Sequence, residues 1–213
     1  MPTRAEQRDR RRRAILESAW ACFARNGFHA TGMAELAAAA GLSPANLYRY
    51  FPSKQAIVGA IVQQARVEFL AEVERLAAEP DALRAILAIL RYCVEHAADP
   101  ASARLWLEIL AEAGRAGPIR RDFLPFDQQS LEPLAALVTR GAAEGSIAAD
   151  LDPRMTAQWL TALLDGVVAR QAMEPDLDLR RWVERMEVLV RRALAPVPAP
   201  ASKRGVIARR RPR

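Results

Sequence analysis

The sequence predicts an all-α protein, and three observations carry that prediction. Apolar residues recur at intervals of three and four, and Val and Ile rarely alternate with polar residues. No Asn-Gly or Asp-Gly pair sits between alternating apolar runs, so no hairpin is signalled. Glycine and proline punctuate the chain at Gly27, Gly41, Pro52, Pro80, Pro100, Gly117-Pro118, Gly145, Pro153 and Pro175, each between periodic segments, as helix ends require.

Nine helices are expected, over 8–26, 32–40, 44–50, 53–79, 81–98, 101–115, 119–144, 153–173 and 178–195. The first places Ile15, Ala19, Cys22 and Phe23 on one face, and Gly27 supplies its C-terminal cap. Thr31 is placed to cap the second helix by accepting a backbone N–H. Gly41 ends that helix in a left-handed conformation. Ser43 caps the third, with Pro44 in its first position, where the missing N–H costs nothing. A short helix, a glycine turn and a second capped short helix make a helix-turn-helix. Of the longer helices, 153–173 carries Leu160, Leu163, Leu164, Val167 and Val168. Helix 178–195 carries Leu179, Trp182, Val183, Met186, Leu189, Val190 and Ala193, again at helical spacing. Residues 196–213, Pro/Ala-rich and then Arg-rich, read as a disordered basic tail.

Charge is unevenly placed. Residues 1–58 hold nine basic and four acidic side chains, 59–195 hold sixteen and twenty-one, and 196–213 hold six basic and none acidic. Basic ends around an acidic middle suit an anionic polymer that meets the ends. Cys22 and Cys93 stand alone, which excludes a cysteine-based metal knuckle and argues against a disulfide scaffold. No apolar stretch reaches the roughly 20 residues of a membrane span, and no secretory signal is visible, so a soluble cytoplasmic protein is expected.

The third helix carries the clearest chemistry. Ala45 lets the backbone approach DNA closely. Asn46 suits adenine and Arg49 suits guanine N7 and O6. Tyr48 and Tyr50 offer hydroxyls to phosphate, while Leu47 and Phe51 anchor the helix to its neighbours. Pro52-Ser53-Lys54 opens the fourth helix, where free N–H groups and the Lys54 ammonium are expected to hold phosphate. Elsewhere no zincin motif, nucleophile elbow, Walker loop or dinucleotide fingerprint occurs, so neither enzyme nor cofactor is expected. Cys93 and His96 read as a small buried hydrophobe and a helix-terminal cation. Glu108 and Glu112, one turn apart, read as a solvated face, or alternatively as a carboxylate aimed into a cavity.

Residues 11–60 resemble the TetR family of transcriptional regulators. The resemblance rests on Gly27-Phe28 and Thr31, Ala40-Gly41-Leu42-Ser43, Leu47-Tyr48-Arg49-Tyr50-Phe51 and Ser53-Lys54, in that order and spacing. Gly32 departs from the pattern, where a second Thr or Ser is common. The stretches Leu163-Leu164-Asp165-Gly166 and Pro175-Asp176-Leu177-Asp178 resemble members with a betaine-regulator-like C-terminal domain. The resemblance implies an all-helical homodimer. Residues 1–58 would form a three-helix DNA-binding domain, joined by a long helix to a ligand-binding and dimerisation domain over 59–195. It places DNA contacts among Thr31, Ser43, Pro44, Ala45, Asn46, Tyr48, Arg49, Tyr50 and Lys54. It implies a cavity enclosed among helices four to eight, for which Phe69, Tyr92, Trp106, Phe123 and Phe126 are the aromatic candidates. Gln63, Glu108, Gln129 and Asp165 are the polar ones, and a buried carboxylate there suits a positively charged apolar molecule. It also implies a four-helix dimer bundle, with Leu160, Leu164, Val167, Val168, Trp182, Met186, Leu189 and Val190 as candidates. The expected function is a regulator, read as a repressor, released from a palindromic double-stranded operator by a small-molecule effector. The alternative is an all-α carrier or enzyme without specific DNA binding.

Overall fold

The computed structural model describes residues 3–196, apart from Ala116. Among these residues there are nine helices and no strand: α1 (Arg4–Asn26), α2 (Met33–Ala39), α3 (Pro44–Tyr50), α4 (Lys54–Ala77), α5 (Ala82–His96), α6 (Pro100–Ala113), α7 (Pro118–Glu144), α8 (Pro153–Met173) and α9 (Leu179–Leu194). The all-α prediction holds element by element. The residues beyond Pro196, expected as a basic tail, lie outside the described part of the chain.

The largest boundary error is at α1, which starts four residues earlier than expected. The Glu6 N–H donates to Thr3 Oγ1 at 3.2 Å, and the Thr3 N–H donates to Glu6 Oε2 at 2.7 Å. That capping box satisfies two backbone donors that a later start would leave without a side-chain partner. Asp81, Asp99, Asp152 and Asp178 cap α5, α6, α8 and α9 in the simpler way, each accepting the N–H three residues on. Gly27 and Gly41 take φ of +83° and +64°, as the turns that join α1 to α2 and α2 to α3 demand.

Two clusters of buried side chains hold the helices together. The first joins α1, α2 and α3 to the start of α4, to Leu105, Ile109 and Ala113 of α6, and to Ile119, Phe123 and Phe126 of α7. The second joins the far ends of α4 and α7 to α5, α8 and α9. The N-terminal helices therefore share a core with α6 and α7. Among the described residues no helix is long and apolar enough to cross a membrane.

Candidate DNA-reading helix and ligand cavity

α3 is seven residues long and is held from beneath. Leu47 is fully buried, and Phe51 just beyond it is buried under the Arg12 guanidinium, 5.0 Å from the ring centroid. Ser43 Oγ accepts the Asn46 N–H at 3.3 Å, with Pro44 beginning the helix. This seating leaves Ser43, Pro44, Ala45, Asn46, Tyr48 and Arg49 exposed, Tyr48 to 52 %. Tyr50 is half-buried and packs on the core. The side chains of Asn46, Tyr48 and Arg49 have no hydrogen-bond partner within the described chain, so their polar groups face water.

Two residues assigned to DNA have other work. Thr31 does not cap α2. The N-cap is Gly32, without a side-chain bond, and Thr31 is fully buried, its Oγ1 donating to the Gly27 carbonyl at 2.7 Å. Lys54 is engaged within its own chain. Its Nζ donates to the carbonyls of Phe28, His29 and Thr31 at 2.6, 3.1 and 3.0 Å, and stands 4.5 Å from the Phe28 ring centroid. An ammonium has three donors, and all three are taken. Lys54 thus ties the α1–α2 turn to the base of α4.

The same turn is gripped by α6. Glu108 Oε2 accepts the Phe28 N–H at 2.5 Å, and Glu112 Oε1 lies 3.1 Å from His29 Nε2. Trp20 Nε1 donates to Ser102 Oγ at 3.2 Å. Glu108 and Glu112 are therefore neither a free solvated face nor a cavity wall: both bind the α1–α2 turn, and Glu108 is withdrawn as a ligand residue.

The opposite face of α6 borders a cavity of about 330 Å³ between α1, α4, α5, α6, α7 and α8. Phe69, Tyr92, Trp106, Phe123 and Phe126 all line it, as the sequence suggested. Their rings form a chain: Tyr92 to Phe69 at 6.5 Å, Phe69 to Phe126 at 5.9 Å, and Phe126 to Phe123 and Trp106 at 5.7 and 6.0 Å. Of the polar candidates only Asp165 lines it. Gln63 donates to the Asp122 carbonyl and accepts from Arg66, and Gln129 also accepts from Arg66, so both fasten α4 to α7. Trp20, Glu68, Asp127 and His96 also line the cavity and were not foreseen as cavity residues. Trp20 was detectable as the one large side chain flanking the apolar stripe of α1, one turn after Leu16. Burial, then the nearby Asp127, hold the Asp165 carboxyl above its ordinary value. Burial pushes the Cys93 thiol up to about 12, so it is an uncharged wall group.

The assigned dimer face is also corrected. Leu160, Val167, Val168, Met186 and Val190 are buried by their own chain, and Leu164 and Val168 line the cavity. Trp182 and Leu189 are exposed, to 40 and 62 %. They are joined by Met155, Trp159 and Met173 on the outer side of α8, which the sequence reading passed over. α8 and α9 each carry apolar side chains on two faces, and the packing of the other helices makes one of them the inner face.

A family model for the BetI-type transcriptional repressor C-terminal region matches residues 80–197, and one for bacterial regulatory proteins of the tetR family matches 15–61. The chain belongs to the TetR family. Among curated relatives, the HTH-type transcriptional regulator RutR of Shigella flexneri is 33 % identical over 147 residues, 68 % of this chain and 67 % of the relative. Among solved structures, FadR of Bacillus subtilis in complex with stearoyl-CoA matches at a TM-score of 0.74 and 21 % identity, covering 83 % of this chain and 96 % of FadR. AibR in complex with isovaleryl coenzyme A and operator DNA matches at 0.69 and 22 %, covering 84 % and 97 %. At these identities the solved structures establish the shared TetR-type fold. The relatives are transcriptional regulators.

Proposed function

We propose that this chain is a ligand-responsive transcriptional regulator, a repressor that leaves its operator when a small molecule fills the cavity. Residues 1–58 form the DNA-reading part and 59–195 the ligand and dimer part. Asn46 and Arg49 read bases in the major groove, and Ser43, Tyr48 and Tyr50 hold phosphate. The observation that carries the reading is the two-sided role of α6. Ser102, Trp106 and Leu110 border the cavity, while Glu108 and Glu112 hold the Phe28–His29 turn that Lys54 fastens to α4. A ligand that displaces Trp106 shifts the helix carrying Glu108, and with it the seat of α3. Ligand and operator then favour different positions of α6, and each weakens the other's binding.

Two copies are needed to read a palindromic site. The outer stripe of Met155 and Trp159 on α8, with Trp182 and Leu189 on α9, supports a dimer built on these helices. The operator in the AibR structure and the acyl-CoA ligands of AibR and FadR support the general scheme of DNA and effector on one chain.

The test is fluorescence anisotropy of a labelled operator during titration with candidate effectors. Trp106→Ala is expected to abolish effector-driven release while leaving effector-free binding within about twofold. Release that persists unchanged in Trp106→Ala would overturn the assignment of the cavity as effector site.

A further inference from the structure

Acidic side chains predominate around the cavity, and the His96 imidazole of α5 is the one basic group among its described lining residues. Asp127 of α7 and Asp165 of α8 line it, Glu68 of α4 stands exposed at its edge, and no lysine or arginine borders it among the described residues. Neither the Asp127 nor the Asp165 carboxylate has a hydrogen bond or ion pair within the described chain. The walls around them are the rings of Trp106, Phe123 and Phe126, whose faces attract positive charge. Two half-buried carboxylates without a partner, beside an aromatic wall, offer a cation both a counter-charge and a ring face to rest on.

We propose that the cavity takes an organic cation, an amine or quaternary ammonium with a compact apolar body. Its charge sits against Asp127 and Asp165 and its body lies on Trp106, Phe123 and Phe126. The proposal rests on the reading of this cavity as the effector site and names the chemical class of the effector. A bare metal ion does not fit, because the described residues contain no cluster of three or more His, Cys, Asp or Glu able to hold one. An acyl-CoA does not fit either. Its phosphates would meet carboxylates with no lysine or arginine to pair them, and about 330 Å³ lies at the small end of ligand pockets. Of the hydroxyls, Ser102 already donates to Asp99 and Ser130 to the Asp127 carbonyl, and those of Tyr92 and Thr161 are neutral groups that serve an amine and an alcohol alike, so the carboxylates make the selection.

The test is calorimetric titration of the full-length protein with two matched series. One is 2-phenylethylamine, 2-phenylethanol and phenylacetate; the other is hexylamine, hexanol and hexanoate. In at least one series the amine is expected to bind tenfold or more tightly than its alcohol, and the carboxylate more weakly than either. Asp165→Asn is expected to cut the amine's affinity at least tenfold and leave the alcohol's within twofold. Should that variant fail to fold, Asp127→Asn, at a half-buried position, carries the same readout. No preference for the amine in either series overturns the proposal, as does a preference that survives both substitutions. Operator release, measured separately, distinguishes the two readings. An alcohol or carboxylate that binds the cavity and releases DNA keeps the regulator and overturns the cation. An amine that is preferred but never releases DNA keeps the cation and overturns the effector role.

Discussion

Lys54 shows how far a residue's type can mislead about its task. A lysine at the start of a helix beside a reading head suggests phosphate, yet its three protons are spent on three carbonyls of one turn. Lys54→Met keeps the stem and removes the charge. It is expected to lower stability by about 1–3 kcal/mol, as loss of a charged hydrogen-bonding group does. It should leave unchanged the slope of operator affinity against salt, which counts phosphate contacts. Thermal unfolding and a salt titration check both, and a slope reduced by about one at unchanged stability would restore the phosphate role. Asp165 makes a pH-dependent contribution of the opposite kind to a salt-bridged carboxylate. Its folded pKa is raised, so between its ordinary and its raised value the folded protein holds more protons than the unfolded one. Its contribution to stability is therefore lost as pH rises through that interval. Asp165→Asn is expected to flatten this part of the dependence of Tm on pH, and an unaltered curve would contradict the assignment.

At the scale of elements, helix positions were legible because caps and glycines are local signals. Ser43-Pro44 and Gly41 state their roles within three residues, and even the missed capping box of Thr3 and Glu6 is written in the sequence. The cavity's aromatic wall was legible too, because large rings on α4 to α7 have few other places to go. Its acids were not: Asp165 and Glu108 look alike in sequence, and only the fold turns one inward and the other towards Phe28. That rotation decides the function of α6. If the Glu108 bond to the Phe28 N–H carries the ligand's signal, Glu108→Ala leaves ligand affinity nearly unchanged. The ligand's effect on operator affinity should then fall from a coupling of typically 1–3 kcal/mol towards zero. Comparing operator Kd with and without ligand measures it, and full coupling in Glu108→Ala would move the signal to another path, such as Trp20 with Ser102.

At the scale of the molecule, the sequence marked apolar stripes on α8 and α9 without telling core from surface. Leu160 and Val190 are wholly covered within one chain, whereas Trp159 and Leu189 are open to water. A glutamate at each of the latter two positions costs little in a monomer and much in an interface. Trp159→Glu with Leu189→Glu is accordingly expected to give a folded monomer by light scattering, with operator affinity reduced at least tenfold. A dimeric double variant would place the contact elsewhere.

The central claim is that α3, carried in duplicate, reads a DNA sequence. Selection of bound duplexes from a random pool tests it most directly, run in parallel on the wild-type protein and on Arg49→Ala. The wild type should enrich a palindromic or near-palindromic site with half-sites about one helical turn apart. Arg49→Ala should relax preference at one symmetry-related pair of positions, at a cost of about 1–3 kcal/mol on the wild-type site. A pool that shows no enrichment over bulk DNA, or an Arg49→Ala pool identical to the wild-type one, would contradict it.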